Sequence, residues 1–245
     1  MSPNPINPQL VRFGINTSGH DYAVGDIHGC FTALRQALDH INFNPIKDRL
    51  FSVGDLVDRG PESDQALEWL DKPWFYAICG NHDFMTWRSA LGNPYPGVDH
   101  LEHGGAWLSG LDQDTLRLVG MRLAELPLAI EVETNDGLVG LVHADCPYDD
   151  WNDMQSQPLS ESSADCCLWS IERYVRKYAA PVRNVRAVIH GHMTVATVQK
   201  LGNVIYIDTG GWKPARGHFT FIDLQKLEAI KGPGPAIAVI PRRYR

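Results

Sequence analysis

The chain has 245 residues, of which 44% are hydrophobic and 21% charged, a composition typical of a globular protein with a sizeable core. Its formal net charge of −7 and the lack of a basic run argue against a general binder of nucleic acid or anionic membranes. An acidic balance still permits a local cationic pocket, because bound metal ions can outweigh nearby side chains.

The first part of the chain alternates short apolar strands with amphipathic helices. We predict strands at residues 22–25, 50–53 and 74–78, and helices at residues 31–41, 63–70 and 84–91. In the first helix, Phe31, Leu34, Leu38 and Ile41 recur at the spacing of one helix face. Alternation of strand and helix indicates a parallel core sheet.

The rest of the chain indicates mostly β-structure. Strands at residues 128–133 and 138–143 flank an Asn-Asp-Gly sequence, a strong signal for a β-hairpin. Further strands are predicted at residues 187–189, 195–199, 204–207 and 219–222, a helix at 168–179, and a loop on the groove rim at 147–164. The predicted fold class is α/β, with two packed mixed β-sheets flanked by helices.

The organisation of the chain is simple. No linker, composition break or repeat divides it, so we expect a single domain over residues 1–245 with a core at about residues 20–225, and a monomer. The first ten residues have Pro and Asn where a signal peptide needs an apolar stretch, so a cytoplasmic protein is expected. The cysteines lack metal-finger spacing and are expected to be reduced thiols: Cys30, Cys79, Cys146, Cys166 and Cys167.

Polar clusters follow five of the predicted strands. Their sequences are GDIHG at residues 25–29, GDLVDRG at 54–60, GNHD at 80–83, LVHAD at 141–145 and VIHGH at 188–192. Loops at the carboxyl ends of strands are where α/β sheets place their functional sites. Carboxylates, imidazoles and an amide suit Mn, Fe or Zn ions, and the lack of thiolates disfavours a closed structural zinc site.

In this order the five motifs resemble the signature of the PPP phosphoesterases, above all the small serine/threonine protein phosphatases of the bacteriophage-lambda type and their bacterial relatives. The resemblance spans about residues 22–223, with softer features at residues 73–75, 104–107, 125–128 and 206–210. It implies the calcineurin-like metallophosphoesterase fold. It also implies a dimetal-dependent phosphomonoesterase, in which water bridging two divalent ions, most simply Mn²⁺ but also Fe or Zn, attacks phosphoserine or phosphothreonine in a protein or peptide.

The resemblance implies a role for each motif residue. Asp26 and His28 would bind the first metal, Asn81, His143 and His192 the second, and Asp55 would bridge the two. Two cations about 3.5–4 Å apart need a shared anionic ligand to reduce their repulsion.

Three further residues would complete the chemistry. His82 would protonate the leaving serine oxygen, a contribution of roughly 10²–10⁴-fold for a general acid, and Asp58 would orient its imidazole. Arg59 would hold the phosphate oxygens with its planar fork.

Other polar residues near the motifs are interpreted differently. His190 could reach a metal, but the motif favours His192 as the ligand. Asp83 and Asp145 are interpreted as hydrogen-bond partners of the site, and His103 is expected to line the cleft. The remaining histidines are interpreted as structural or solvent-exposed: His20, His40, His100 and His218.

One segment departs from the lambda-type pattern, in which a Trp-x-Arg-x-Arg sequence supplies a second phosphate-holding arginine. Here residues 169–173 have the sequence WSIER, so Ile171 occupies the position of that arginine and Arg173 would point to nearly the opposite face of a helix. Either the backbone is not helical there, or another cation substitutes, or Arg59 and the metals hold the phosphate alone.

Two other functions remain as alternatives. Diadenosine-tetraphosphate hydrolases of the same superfamily share the GNHD motif but resemble GDLVARG at the second motif, where this chain has Asp58. A catalytically inactive binding module is disfavoured because every ligand position and His82 carry competent chemistry.

Overall fold

The computed structural model describes residues 9–156, 158–213 and 216–234, so most of the N-terminal segment assessed for a signal peptide lies outside the described residues. The strands are β1 (Leu10–Phe13), β2 (Asp21–Val24), β3 (Arg49–Ser52), β4 (Phe75–Ala77), β5 (Ala129–Thr134), β6 (Gly137–Val142), β7 (Ala187–His190), β8 (Gln199–Leu201), β9 (Val204–Tyr206), β10 (Thr220–Asp223) and β11 (Glu228–Lys231). The helices are α1 (Phe31–His40), α2 (Ala66–Leu70), α3 (Asn81–Ala90), α4 (Gln113–Ala124), α5 (Trp151–Ser156), α6 (Glu161–Trp169) and α7 (Glu172–Arg176).

The strands form two mixed sheets. One has the order β11-β10-β2-β3-β4 and the other the order β1-β5-β6-β7-β9-β8. In the first, β2, β3 and β4 are parallel, while β10 pairs antiparallel with β2. The connections between the parallel strands contain α1 and α2, as a crossover between parallel strands requires.

The inner faces of the two sheets pack against each other. Phe51 of β3 and Val53, directly after β3, lie in a buried cluster that also contains Ile130, Leu141 and Ile189 from the second sheet. Each of these side chains is at most 1% exposed. Burying an apolar side chain of this size contributes about 1.5–3 kcal/mol, so this layer is a main source of stability. A second cluster, containing Phe31, Leu34 and Leu38 of α1, fills the space between sheet and helices.

The hairpin predicted around residues 135–137 is present. Thr134 pairs with Gly137, so β5 and β6 are joined by the two-residue loop Asn135-Asp136. Gly137 has a φ of 121°, a conformation that other residues adopt only with strain.

Two predicted elements are wrong. The segment predicted as a helix at residues 168–179 instead contains the end of α6, an extended Ser170 and the short α7. Lys177, which follows α7, has a left-handed conformation. The strand predicted at residues 195–199 begins only at Gln199, as β8.

Other differences concern elements that apolar spacing did not indicate. The loop predicted at residues 147–164 contains α5 and the start of α6, and β1, α4 and β11 were not predicted. The helix predicted from residue 84 starts at Asn81. None of the helices in the described residues combines the length and apolar character that a membrane span requires.

Candidate active site

The residues predicted to bind metal come together between the strand ends of the two sheets. Asp26 and His28 follow β2, Asp55 follows β3, and Asn81 opens α3 directly after the β4 segment. From the second sheet, His143 follows β6 and His192 follows β7. All are buried except His192, which is partly buried. The site is therefore built from loops of both sheets.

Two groups of ligand atoms share one carboxylate. On one side, Asp55 Oδ2 lies 3.4 Å from His28 Nε2, which is 4.0 Å from Asp26 Oδ2. On the other side, Asp55 Oδ1 lies 3.5 Å from His143 Nε2. The two oxygens of Asp55 therefore face different groups, as a bridging ligand requires.

The second group is completed by Asn81. Its Oδ1 lies 2.9 Å from His143 Nε2 and 3.0 Å from His192 Nδ1. Atoms bound to one ion at about 2.1 Å are roughly 3.0–3.4 Å apart, so this spacing suits a metal ion. Asp26, placed above with His28, also lies within reach of this second group, in a cluster with Asp55 and His143 that could hold an ion.

Backbone carbonyls orient two of the imidazoles. His28 Nδ1 lies 2.9 Å from the Val57 carbonyl, and His143 Nδ1 lies 2.7 Å from the Val53 carbonyl. In each ring the Nδ1–H donates, so the Nε2 lone pair points into the site. Burial lowers the pKa of His28 to about 3 and that of His192 to about 4. These rings are therefore neutral at neutral pH, the form that binds metal.

The buried carboxylates of the site favour the binding of cations. Burial, then Asp208 and Asp55, raise the pKa of Asp26 well above its usual range. Asp208 itself accepts hydrogen bonds from Thr194 Oγ1 and the Gly210 amide. Divalent ions would relieve the repulsion among these acids, so the residues fit the two metals that the motifs predict.

His82 and Asp58 form a direct pair beside these groups. His82 Nδ1 lies 2.8 Å from Asp58 Oδ2, and both side chains are buried. The other nitrogen of His82, Nε2, accepts a hydrogen bond from Arg59 Nη2 at 2.9 Å, because a guanidinium only donates. His82 also lies within reach of a metal together with His28 and Asp55, so its position alone permits a ligand role as well as an acid role.

Arg59 points into the site. Its Nη1 lies 2.7 Å from His28 Nε2, its Nη2 2.9 Å from His82 Nε2, and its guanidinium stacks 4.6 Å from the centre of the Trp212 ring. The His28 lone pair that accepts from Arg59 is the one a metal would use. A metal bound at that lone pair would therefore displace this contact of Arg59.

The structure distinguishes the neighbouring polar residues. Asp83 accepts from the backbone amides of Leu56 and Gly80, and so ties the second motif to the third. His190 Nδ1 faces the Val142 carbonyl and its Nε2 lies 3.8 Å from Asp145, away from both ligand groups. Asp83 is thus a hydrogen-bond partner of the site loops, and His192, whose Nδ1 contacts Asn81 Oδ1, stays the predicted ligand.

The position of the second arginine is also explained. Arg173 is buried and donates to Asp145 Oδ1 and to the carbonyls of Tyr178 and Ala180. Its guanidinium is therefore used in contacts that stabilise the fold. Ile171 lies at the non-helical junction before α7 and is 44% exposed. The backbone is not continuously helical there, but Arg173 is tied to Asp145, so the helix break alone does not supply a second phosphate-holding arginine.

Sequence reasoning missed three residues of the site. His100, interpreted as structural or exposed, contacts Asp58, and so does Trp107. Trp212 covers Arg59 and lies edge-on to His28. His103 lies with its ring 6.1 Å from that of His82, at the cleft as expected. The only sequence signal for His100 was its proximity to the Gly104-Gly105 pair.

A carboxylate shared by two ligand groups, with an arginine and a histidine facing the gap, is the arrangement by which metallophosphoesterases hydrolyse phosphate esters. The sequence matches the calcineurin-like phosphoesterase family over residues 22–195, and the chain belongs to that family. Enzymes of this family depend on two metal ions. The family resemblance and the fold predicted from the motifs are confirmed.

Three relatives give the range of similarity. Serine/threonine-protein phosphatase 2 of Salmonella typhimurium is 33% identical over 229 residues, which cover 89% of this chain and 100% of the relative. A symmetrical bis(5'-nucleosyl)-tetraphosphatase of Methylococcus capsulatus is 38% identical over 128 residues, 51% of this chain and 43% of the relative. A crystal structure provisionally assigned as a diadenosine tetraphosphatase has a TM-score of 0.65 at 21% identity, covers 93% of this chain and 98% of its own, and supports the fold alone.

Proposed function

We propose that this metallophosphoesterase is a phosphomonoesterase that removes phosphate from phosphoserine and phosphothreonine in proteins or peptides. The Asp58–His82 pair, with 2.8 Å between Oδ2 and Nδ1, carries the proposal. A serine or threonine alkoxide is a poor leaving group and needs a proton, which an imidazole held by a carboxylate can supply. The similarity to the Salmonella phosphatase over its full length supports the same substrate class.

In the proposed mechanism each residue has one task. Arg59 binds the outer phosphate oxygens through its planar fork. For the protonation step His82 must carry a proton on Nε2, and Arg59, which donates to that nitrogen in the structure, must contact the phosphate instead. The proton then passes from Nε2 to the departing oxygen, while Asp58 accepts from Nδ1 and keeps the ring oriented. Asp26, His28, Asp55, Asn81, His143 and His192 would hold two divalent ions. Those ions would polarise the phosphate and lower the pKa of water to the neutral range.

Further parts of the proposal concern the ions and partners. A set of carboxylate, imidazole and amide ligands favours Mn²⁺, with Fe or Zn as alternatives. We expect a cytoplasmic monomer whose partner is the phosphorylated substrate, because a net charge of −7 disfavours nucleic acid and anionic membranes.

A second candidate function is hydrolysis of dinucleoside tetraphosphates. The similarity to the Methylococcus tetraphosphatase over about half of this chain favours it. Asp58 argues against it, since those enzymes resemble GDLVARG at this motif, with Ala at the position of Asp58.

Turnover of the two substrate classes separates these functions. With Mn²⁺, kcat/KM should be higher for phosphoserine and phosphothreonine peptides than for diadenosine tetraphosphate. Asp58→Ala, which reproduces the Ala-containing motif, should lower kcat/KM for the peptides more than for the dinucleotide. A wild-type preference for the dinucleotide, unaffected by Asp58→Ala, would reverse the assignment.

A further inference from the structure

The carboxylate of Asp58 is held from two directions. Its Oδ2 lies 2.8 Å from His82 Nδ1 and 2.9 Å from His100 Nε2, so two imidazoles share one oxygen. Its Oδ1 lies 2.8 Å from Trp107 Nε1 and 3.4 Å from Thr86 Oγ1. Asp58 itself is 0% exposed, so these contacts take the place of water around the carboxylate.

The other contacts of His100 hold its ring in place. Its Nδ1 lies 3.1 Å from Ser89 Oγ and its Nε2 also lies 3.2 Å from Thr86 Oγ1. Since an ionised carboxylate only accepts, the Nε2–H of His100 donates to Asp58, while its Nδ1 makes a hydrogen bond with the Ser89 hydroxyl. Ser89 lies on α3, the helix that also carries His82. His100, which belongs to neither group of predicted metal ligands, therefore connects Asp58 to that helix.

The loop that carries His100 is closely fitted to this position. A Cβ on Gly105 would lie 2.5 Å from the His100 ring, and one on Gly104 would lie 2.6 Å from the Arg59 amide nitrogen. The Gly105 amide donates to the His100 carbonyl at 2.9 Å. The two glycines therefore let the loop bring His100 and Trp107 onto the Asp58 carboxylate while passing against Arg59.

We propose that His100 is a positioning residue for the phosphatase reaction, which fixes the Asp58 carboxylate and through it the imidazole of His82. This inference rests on the proposed acid role of His82. When His100 is removed, Oδ2 keeps only one of its two imidazole partners and the carboxylate gains freedom to rotate. Partners of this kind change activity by about 10–100-fold when they are lost, and we expect the lower end because Trp107 remains.

The role can be tested with substitutions that differ only in reach. The amide nitrogen of His100→Gln can occupy the place of Nε2 and donate to Asp58, whereas that of His100→Asn matches Nδ1 and is too short. His100→Ala removes both contacts. His100 forms part of the wall of a surface cavity of about 530 Å³, so these changes enlarge an open space and do not empty the core.

The readout is the dependence on leaving group, measured as kcat for phenyl phosphate and p-nitrophenyl phosphate with Mn²⁺. His100→Ala and His100→Asn should lower kcat about tenfold on phenyl phosphate, with little change on p-nitrophenyl phosphate, whose leaving group needs less protonation. KM and metal content should be unchanged, and His100→Gln should recover most of the loss. If His100→Ala does not fold, the Gln and Asn variants decide.

Equal losses on both esters, no loss, or a Gln variant as poor as the Asn variant would overturn the proposal. His82→Asn in the same assay separates this from failure of the proposed function. If His82→Asn shows no leaving-group dependence, the acid role fails and the inference fails with it. If His82→Asn shows the dependence and the His100 variants do not, only the role of His100 is wrong.

Discussion

His28, Asp55, Asp58, Arg59 and His192 all have positive φ angles, between 46° and 70°. Left-handed backbone costs a non-glycine residue roughly 1–2 kcal/mol, so the site concentrates strain. Backbone hydrogen bonds hold part of it in place: the amides of His28 and Ile27 both donate to the Asp55 carbonyl. The loops that follow β2 and β3 are thus held together by backbone hydrogen bonds.

A first prediction concerns the shared carboxylate. If Asp55 bridges two cations, Asp55→Asn removes the anionic charge between them, so the variant should lose at least one metal, measured by elemental analysis, and most of its activity. Because Asn tolerates the left-handed conformation, the metal-free variant should not be less stable than the metal-free parent. Asp71→Asn, at an exposed carboxylate paired with Arg122, should keep both metals. Two metals per chain and near-normal activity in Asp55→Asn would rule out a bridging role.

The sequence predicts part of the site at this scale. Asp26, Asp55 and His143 could be predicted to lie together because each follows a strand within a recognisable motif. His100 could not, since it lies 42 residues from Asp58 in a loop without regular spacing. The left-handed angles also could not, because none of these residues is glycine.

At the scale of elements, the start of α3 organises the site. Asn81, His82 and Asp83 form its first turn, and Asp83 caps it by accepting from the Gly80 amide while also accepting from Leu56. Apolar spacing predicts the helix only from Phe84, because a polar first turn leaves no apolar signal. The start of α3 therefore places Asn81, His82 and Asp83 against the loop that follows β3.

The second prediction compares two helix caps. Asp83→Ala should lower the free energy of unfolding of the metal-free protein by about 1–3 kcal/mol, because two buried amides lose their acceptor. It should also weaken metal binding, since Asn81 and Asp55 are no longer held together. Asp112→Ala removes the exposed cap of α4 and should cost about 0.5–2 kcal/mol with metal affinity unchanged. Urea unfolding and metal titration measure both, and unaltered metal affinity in Asp83→Ala would contradict the bracing role.

The wrong helix at residues 168–179 has a physical explanation. Ser170 is extended, with a ψ of 130°, and α7 then runs only to Arg176. The buried Arg173 side chain binds Asp145 and two carbonyls, and this tertiary contact outweighs the helical preference of the segment. Such a contact joins distant parts of the chain and leaves no local pattern.

At the scale of the whole molecule, the two sheets bury several histidines as neutral rings. Burial lowers the pKa of His190 to about 4 and that of His28 to about 3, whereas an unfolded histidine titrates at about 6.5. The two-sheet fold was predictable because strand-helix alternation is followed by a hairpin and short strands. Which histidines it buries was not, because burial depends on how the sheets pack.

The third prediction is a pH dependence of stability. Between about pH 4 and 6.5 the unfolded chain binds protons that neutral His190 does not, so the stability present above pH 6.5 is lost as pH falls. Each such histidine contributes about 1.4 kcal/mol per pH unit. The buried acids Asp26 and Asp83, whose pKa burial raises, act in the opposite direction.

A difference between variants isolates the histidine. In urea unfolding of the metal-free protein, His190→Gln should reduce the loss of stability between pH 6.5 and pH 4 relative to the parent. His40→Gln, at the exposed end of α1, should leave that loss as it is. Identical pH dependence in the parent and His190→Gln would show that His190 is not held neutral.

The most direct measurement of the central claim is kcat of His82→Asn on a phosphoserine peptide and on p-nitrophenyl phosphate, with metal content determined on the same samples. If His82 is the general acid, two metals remain, kcat on the peptide falls by roughly 10²–10⁴-fold, and the loss on p-nitrophenyl phosphate is much smaller. Asp58→Asn should show the same pattern in milder form, because the ring remains but is less well oriented. Equal losses on both esters, or loss of metal from His82→Asn, would contradict the account.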